Sequence, residues 1–210
     1  MFGLTIGFRL PAMLAAVLLI AFAGDAMAAP AGTVVGLSGG AFVESAGARN
    51  PLQLGQPVQV GDTVDVPANA RLKLRMSDGS VVSVAAGSRM TIAAYGADAA
   101  GQREQAKLSL AQGLLRAVVA SAQRPASFEV DTAVGTAAVR STDWFVEGSA
   151  TAMQVGVLAG SVEMTSRATK RREMIPARWG ARMEAGRDPV PPRVWSPAEF
   201  AAVIARTDVK

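Results

Sequence analysis

Arg71-Leu72-Lys73-Leu74-Arg75-Met76 alternates charged and apolar side chains, Ser77-Asp78-Gly79-Ser80 interrupts it, and Val81-Val82-Ser83-Val84 resumes an apolar run. A period of two is that of a half-buried strand, whose successive side chains point to opposite faces. Asp-Gly between two such runs predicts a tight hairpin with positive φ at Gly79. The same grammar extends outward. Ala85-Ala86-Gly87-Ser88 turns into Arg89-Met90-Thr91-Ile92. Lys107 to Leu110 is predicted to turn at Ala111-Gln112-Gly113 into Leu114 to Val119. Ser127 to Val130, Thr136 to Arg140, Asp143 to Glu147, Met153 to Leu158 and Ser161 to Thr165 continue the series. Many short strands ended by Gly, Pro, Asp or Asn predict an all-β sandwich, barrel or solenoid. Ala97 to Ala106, small and polar, reads as a surface loop.

Leu108-x-Leu110-x-x-Gly113-x-Leu115 is echoed by Val155-x-Val157-x-x-Gly160-x-Val162, and Val82-x-Val84-x-x-Gly87 repeats its first half. Such echoes suit a wound chain, although any antiparallel protein repeats short apolar pairs before turns. Pro189 to Pro192 breaks the pattern and begins a Pro-rich linker. Ser196-Pro197-Ala198-Glu199 then opens a helix, with Ser at the N-cap, Pro at the first helical position and Glu completing a capping box. The helix is predicted from Pro197 to about Arg206, docked on the β core, with Trp195 against Phe200.

The 210-residue chain has no Cys and no His. Disulfides, a thiolate nucleophile, a histidine base and the usual zinc sites are therefore unavailable. Met1 to Arg9, the apolar run Leu10 to Ala23 and Ala26-Met27-Ala28 read as a cleavable signal peptide over residues 1–28, cut after Ala28. The run is shorter than the roughly 20 residues a spanning helix needs, so no transmembrane span is expected after cleavage. Formal net charge is +4. Basic residues gather late in the chain, where Arg167, Lys170, Arg171, Arg172, Arg178, Arg182, Arg187 and Arg193 face only Glu173, Glu184 and Asp188.

With these runs in view, the chain resembles the FecR family. Val60-Gly61-Asp62-Thr63-Val64, the Ser77-Asp78-Gly79-Ser80 turn and Phe128-Glu129-Val130-Asp131-Thr132 follow the family's order. So do Ala137-Ala138-Val139-Arg140-Ser141-Thr142-Asp143-Trp144-Phe145-Val146 and Val157-Leu158-Ala159-Gly160-Ser161-Val162. Ser141 stands where the family has Gly, and Ala133 where it has Pro. The resemblance implies a FecR-type β-sandwich or β-solenoid with one short C-terminal helix. Residues 29–188 would form the β domain and 189–210 the linker and helix. It also implies an exported, periplasmic sensor domain. Only Met1 to Arg9 precede the apolar run, so the family's cytoplasmic sigma-contacting head is not expected.

Arg140, Asp143 and Trp144 form the densest polar and aromatic cluster and are candidate partner contacts. The competing reading makes them a structural corner, with Trp144 in the core. Lys170, Arg171 and Arg172 are a second candidate contact, or simply a solvated hairpin tip. These are too few charges, with too few aromatic neighbours, for nucleic acid. Asp62, Asp65 and Asp78 lack calcium-loop spacing. No cofactor, metal site or catalytic residue is expected. Glu129, Asp131 and Asp143 are the only acids placed to pair for glycoside chemistry. The expected function is a non-catalytic periplasmic sensor or scaffold that binds an envelope protein or cell-wall glycan. The alternatives are an enzyme acting on envelope polysaccharide and a membrane-anchored transducer.

Overall fold

In the computed structural model, which describes residue 3 and residues 29–98, 100–121 and 126–209, the Asp78-Gly79 hairpin forms as its pattern predicts. Leu72 faces Val84 and Leu74 faces Val82 across it, and Gly79 has φ +83°. The expected leader over residues 1–28 lies, Gly3 apart, outside the described residues.

The strands are, in chain order, β1 (Gly32–Ser38), β2 (Phe42–Ser45), β3 (Ala48–Pro51), β4 (Pro57–Val58), β5 (Thr63–Val66), β6 (Arg71–Met76), β7 (Val81–Val84), β8 (Ser88–Ala97) and β9 (Arg103–Val118). There follow β10 (Phe128–Asp131), β11 (Gly135–Val139), β12 (Asp143–Gly148), β13 (Ala152–Ala159), β14 (Ser161–Ser166), β15 (Arg172–Pro176), β16 (Trp179–Glu184), β17 (Arg193–Val194) and the helix α1 (Pro197–Thr207). They form two facing layers. Sheet I runs β4-β1-β6-β7-β9-β12-β13-β16-β17. Sheet II runs β3-β2-β5-β8-β9-β10-β11-β14-β15. All the pairings are antiparallel except β9 with β10.

Strand β9 belongs to both layers, and here the predicted turn at Ala111-Gln112-Gly113 is corrected. Lys107 to Leu110 pairs in sheet II and Leu114 to Val118 in sheet I, within one unbroken strand. Gly113 takes φ +101°, and a side chain there would collide with Ser88. The glycine signal was real, but it marks a bend between layers rather than a reversal. Gly87 and Gly160, the other glycines of the echo, also have positive φ and also stand where the chain changes sheet. After β9 the chain alternates layers in pairs, β10 and β11 in sheet II, β12 and β13 in sheet I, then β14 and β15 in II and β16 and β17 in I. The predicted loop over 97–106 is likewise shortened, because β8 extends to Ala97 and β9 begins at Arg103.

The inward faces of both sheets fill one core. Leu72, Leu74, Met90, Ile92, Leu108, Leu110, Phe128, Val130, Trp144, Met153 and Met164 are buried there. Each such large side chain contributes roughly 1.5–3 kcal/mol of hydrophobic stabilisation. Helix α1 covers the outer face of sheet I through a second, smaller cluster of Ala85, Leu114, Phe145, Trp195 and Val203. Its capping box is complete: Ser196 Oγ accepts from the Glu199 amide, and Glu199 Oε2 accepts from the Ser196 amide at 2.8 Å. The Trp195 and Phe200 rings lie 5.5 Å apart, as the sequence predicted.

Candidate functional site

Alternation along β12 separates the first candidate cluster. Trp144 points inward and is 0% exposed, so its side chain lies in the core and not on a surface. Phe145 points outward, under the helix. Asp143, also outward, accepts from Arg116 Nε at 2.9 Å and Nη2 at 2.8 Å across the β9–β12 pair. Thr142 is buried and its hydroxyl donates to the Ser161 carbonyl at 3.2 Å. Arg140 alone of the candidate cluster is exposed without a partner: among the described residues its guanidinium makes no hydrogen bond or ion pair. Lys170, Arg171 and Arg172 sit at the exposed tip of the β14–β15 hairpin, with Lys170 at φ +62°; Arg172 reaches Glu163 at 3.4 Å.

The structure instead brings Arg140, in the bend after β11, together with residues from four strands. On the outer face of sheet II, Glu129 on β10 stands opposite Ala138 on β11, and Ala138 stands opposite Glu163 on β14, which in turn faces Met174 on β15. The small Ala138 side chain leaves a hollow between the two carboxylates, which are carried two strand spacings apart, about 10 Å. The resulting depression, about 560 Å³, is completed by Ser127, Arg140, Ser141, Thr142, Gly160 and Ser161. The next rung of the same face is polar throughout, Thr63-Thr91-Ser109-Asp131-Thr136-Thr165. Asp131 is tied to Lys107 at 2.9 Å and to the Thr136 hydroxyl at 2.5 Å. Burial pushes its carboxyl up, but these two partners outweigh burial and hold it below the usual range. That is the reverse of what a general acid requires. Among the described residues no group of three or more acidic side chains is placed to hold a metal ion.

Beneath this depression lies a residue that the sequence reading assigned to a surface loop. Arg103 is 2% exposed. Its Nη1 donates to Asp78 Oδ2 at 2.6 Å and to the Ala120 carbonyl at 3.2 Å. Its Nη2 donates to the carbonyls of Ala126 at 3.2 Å and Arg140 at 2.8 Å. Asp78 also accepts from the Tyr95 hydroxyl at 2.7 Å and from the Ser80 amide and hydroxyl. Burial raises the Asp78 carboxyl; Tyr95, Ser80 and Arg103 more than offset this, so it titrates below its ordinary value. Burial, with the Asp78 charge, pushes the Tyr95 hydroxyl strongly upward. The Asp78-Gly79 turn is thus an anchor as well as a reversal. Through Arg103 it pins Ala126, next to Ser127, and Arg140, both on the rim. Ser121, which follows the pinned Ala120, bonds the rim residue Ser141 through their hydroxyls at 2.8 Å. The available signal was Asp at the first turn position of Asp-Gly-Ser. Nothing local distinguished Arg103 from its exposed neighbours.

The FecR protein family matches residues 62–163. No curated protein matches the chain. Two crystal structures, each described as a candidate anti-sigma factor from Parabacteroides distasonis ATCC 8503, superpose with TM-scores of 0.56 and 0.55 at 16% identity. In both cases 67% of this chain is covered, against 63% and 62% of theirs, so the chain spans less than two thirds of their length. At this identity the likeness is one of fold. The matched segment begins at Asp62, contains the Asp78–Arg103 anchor and ends at Glu163 on the rim of the depression; this chain carries a FecR family domain over residues 62–163.

Proposed function

We propose that this protein is a non-catalytic periplasmic sensor or scaffold, exported through a leader cut after Ala28, that binds an envelope protein or cell-wall component on the outer face of sheet II. A FecR domain points to a signalling or regulatory role, and such domains are envelope-associated. No helix among the described residues is long and apolar enough to cross a membrane. One observation carries the reading: the outer face of sheet I is occupied by the chain's own helix, whereas that of sheet II is left bare around a preformed depression. Arg140 and Met174, the latter 54% exposed, border that depression, and Lys170, Arg171 and Arg172 lie at the tip of the adjacent hairpin. A rim held from below by a buried ion pair suits recognition, because its geometry is set before a partner arrives.

The experiment is site-specific photo-crosslinking in the intact envelope, with benzophenone side chains introduced at Met174 and, separately, at Val35 on sheet I. A discrete adduct from position 174 and none from 35 is expected. Equal labelling from both positions, or none from either, overturns the assignment of the binding face. Mass spectrometry of the extracted protein, expected to begin at Ala29, tests the export step independently.

A further inference from the structure

Resting on that reading of the binding face, we infer that the depression on sheet II takes a lysine-like C-terminal residue of a peptide, a ligand with a free carboxylate at one end and a primary ammonium at the other. Two opposite charges are on offer in one depression. Glu129 and Glu163 flank Ala138 on one rung of the sheet. Glu129 accepts from the Ser127 hydroxyl at 3.0 Å, and Glu163 is reached at 3.4 Å by the exposed Arg172. A cation above the alanine therefore meets a carboxylate on either side and competes only with that long, solvent-exposed pair. Arg140 follows the end of β11, in the bend two residues past Ala138, and lines the same depression. Its guanidinium is uncommitted among the described residues, while its carbonyl is held by Arg103 at 2.8 Å. A planar guanidinium with no partner is suited to a bidentate carboxylate. A lysine-like residue joins its carboxylate to its ammonium through a four-carbon stem, and the exposed Met174 thioether offers that stem an apolar wall.

The alternatives fit less well. A simple anion would meet Glu129 and Glu163, and a simple cation would leave Arg140 opposed. A neutral sugar would lack an aromatic platform, since Trp144 is buried and the rim carries no aromatic side chain.

The test is a heteronuclear NMR titration of the full chain with acetyl-Ala-Ala-Lys carrying a free carboxylate, read at the Ala138 methyl and the Arg140 Nε–H. Saturable shifts at both are expected. The C-terminal amide and the ε-acetylated peptide should each bind at least tenfold more weakly. Free L-lysine, the other source of the same two groups, should shift the same signals if the residue alone suffices. If only the tripeptide does so, the site reads a peptide end. Arg140→Gln should abolish discrimination between the acid and the amide while the fold's spectrum stays intact, and Ala138→Leu should abolish binding by filling the hollow. Absence of saturable shifts, equal binding of acid and amide, or unchanged binding by R140Q overturns the inference. Crosslinking from Met174 that persists alongside such a failure would leave the binding face standing and remove only the ligand assignment.

Discussion

The outer faces of the two sheets are built from the same kind of strand and end in opposite conditions. On sheet I, Gly156 and Gly180 stand opposite each other on β13 and β16. A side chain at Gly156 would collide with the Phe145 ring, and one at Gly180 with Trp195. The two glycines make a trough that these rings fill, and α1 closes over it. The strap continues across the sheet, where Arg206 pairs with Glu147 at 2.6 Å and Lys73 donates to the Val209 carbonyl at 2.9 Å. On sheet II, Ala138 makes a comparable hollow, but carboxylates and hydroxyls surround it and nothing in the described chain enters. Smallness of side chain on a strand therefore has two uses. Lined with aromatic rings, it receives the chain's own tail; rimmed with charge, it stays open.

Four variants and one change of pH test this contrast. The largest effect is expected from Arg103→Met, which leaves Asp78 as a buried charge without its ion-pair partner and frees the Ala126 and Arg140 carbonyls. A loss of roughly 3–5 kcal/mol is expected in urea denaturation. A loss below about 1 kcal/mol would show that the rim is not held from beneath. On sheet I, Gly180→Val should cost about 1–3 kcal/mol by overpacking, seen as a lower denaturation midpoint with altered Trp195 emission. On sheet II, Ala138→Leu should change stability by no more than about 0.5 kcal/mol. Equal losses for the two would erase the distinction between the faces. Replacing Lys170, Arg171 and Arg172 together with Ser should also stay within about 0.5 kcal/mol, because all three are exposed. A large loss there would make the hairpin tip structural.

The smallest effect concerns acid. Arg193 and the Ser196 amide hold the Glu199 carboxyl down at about 2, from an ordinary value of 4.5. A lowered carboxyl contributes stability that is present above 4.5 and is lost as pH falls toward 2. The pair is exposed, so fraying of α1 by circular dichroism in that window should be slight and should shrink further in high salt. Asp78 has the same sign. Its contribution is complete above 3.8 and is lost as pH falls through its lowered value, which should loosen the sheets themselves. Marked fraying that high salt leaves unchanged would contradict an exposed, screened pair at the helix start.

The elements were largely legible in the residues, and the site was not. The β6–β7 hairpin, the β14–β15 hairpin and the capped helix each follow from contacts within a few positions: alternation, Asp-Gly, and Ser-Pro-Ala-Glu. The burial of Trp144 was already one of two readings. Gly113 carried a correct signal with two meanings, since a positive φ serves a reversal or a bend equally well. Arg103 and Ala138 carried no signal, because a buried arginine and a surface alanine look ordinary until strands distant in the chain meet them.

Local sequence by itself determined that the chain forms short strands, where β6, β7 and β10 to β14 begin and end, and how the single helix is capped, because period and turn chemistry act between near neighbours. Only the tertiary structure decided which strands share a sheet, that β9 serves both layers, and that Glu129, Arg140, Glu163 and Met174 border one hollow. Those outcomes depend on pairing between residues far apart in the chain, whose register is settled by filling a common core and satisfying buried polar groups such as Asp78 and Arg103.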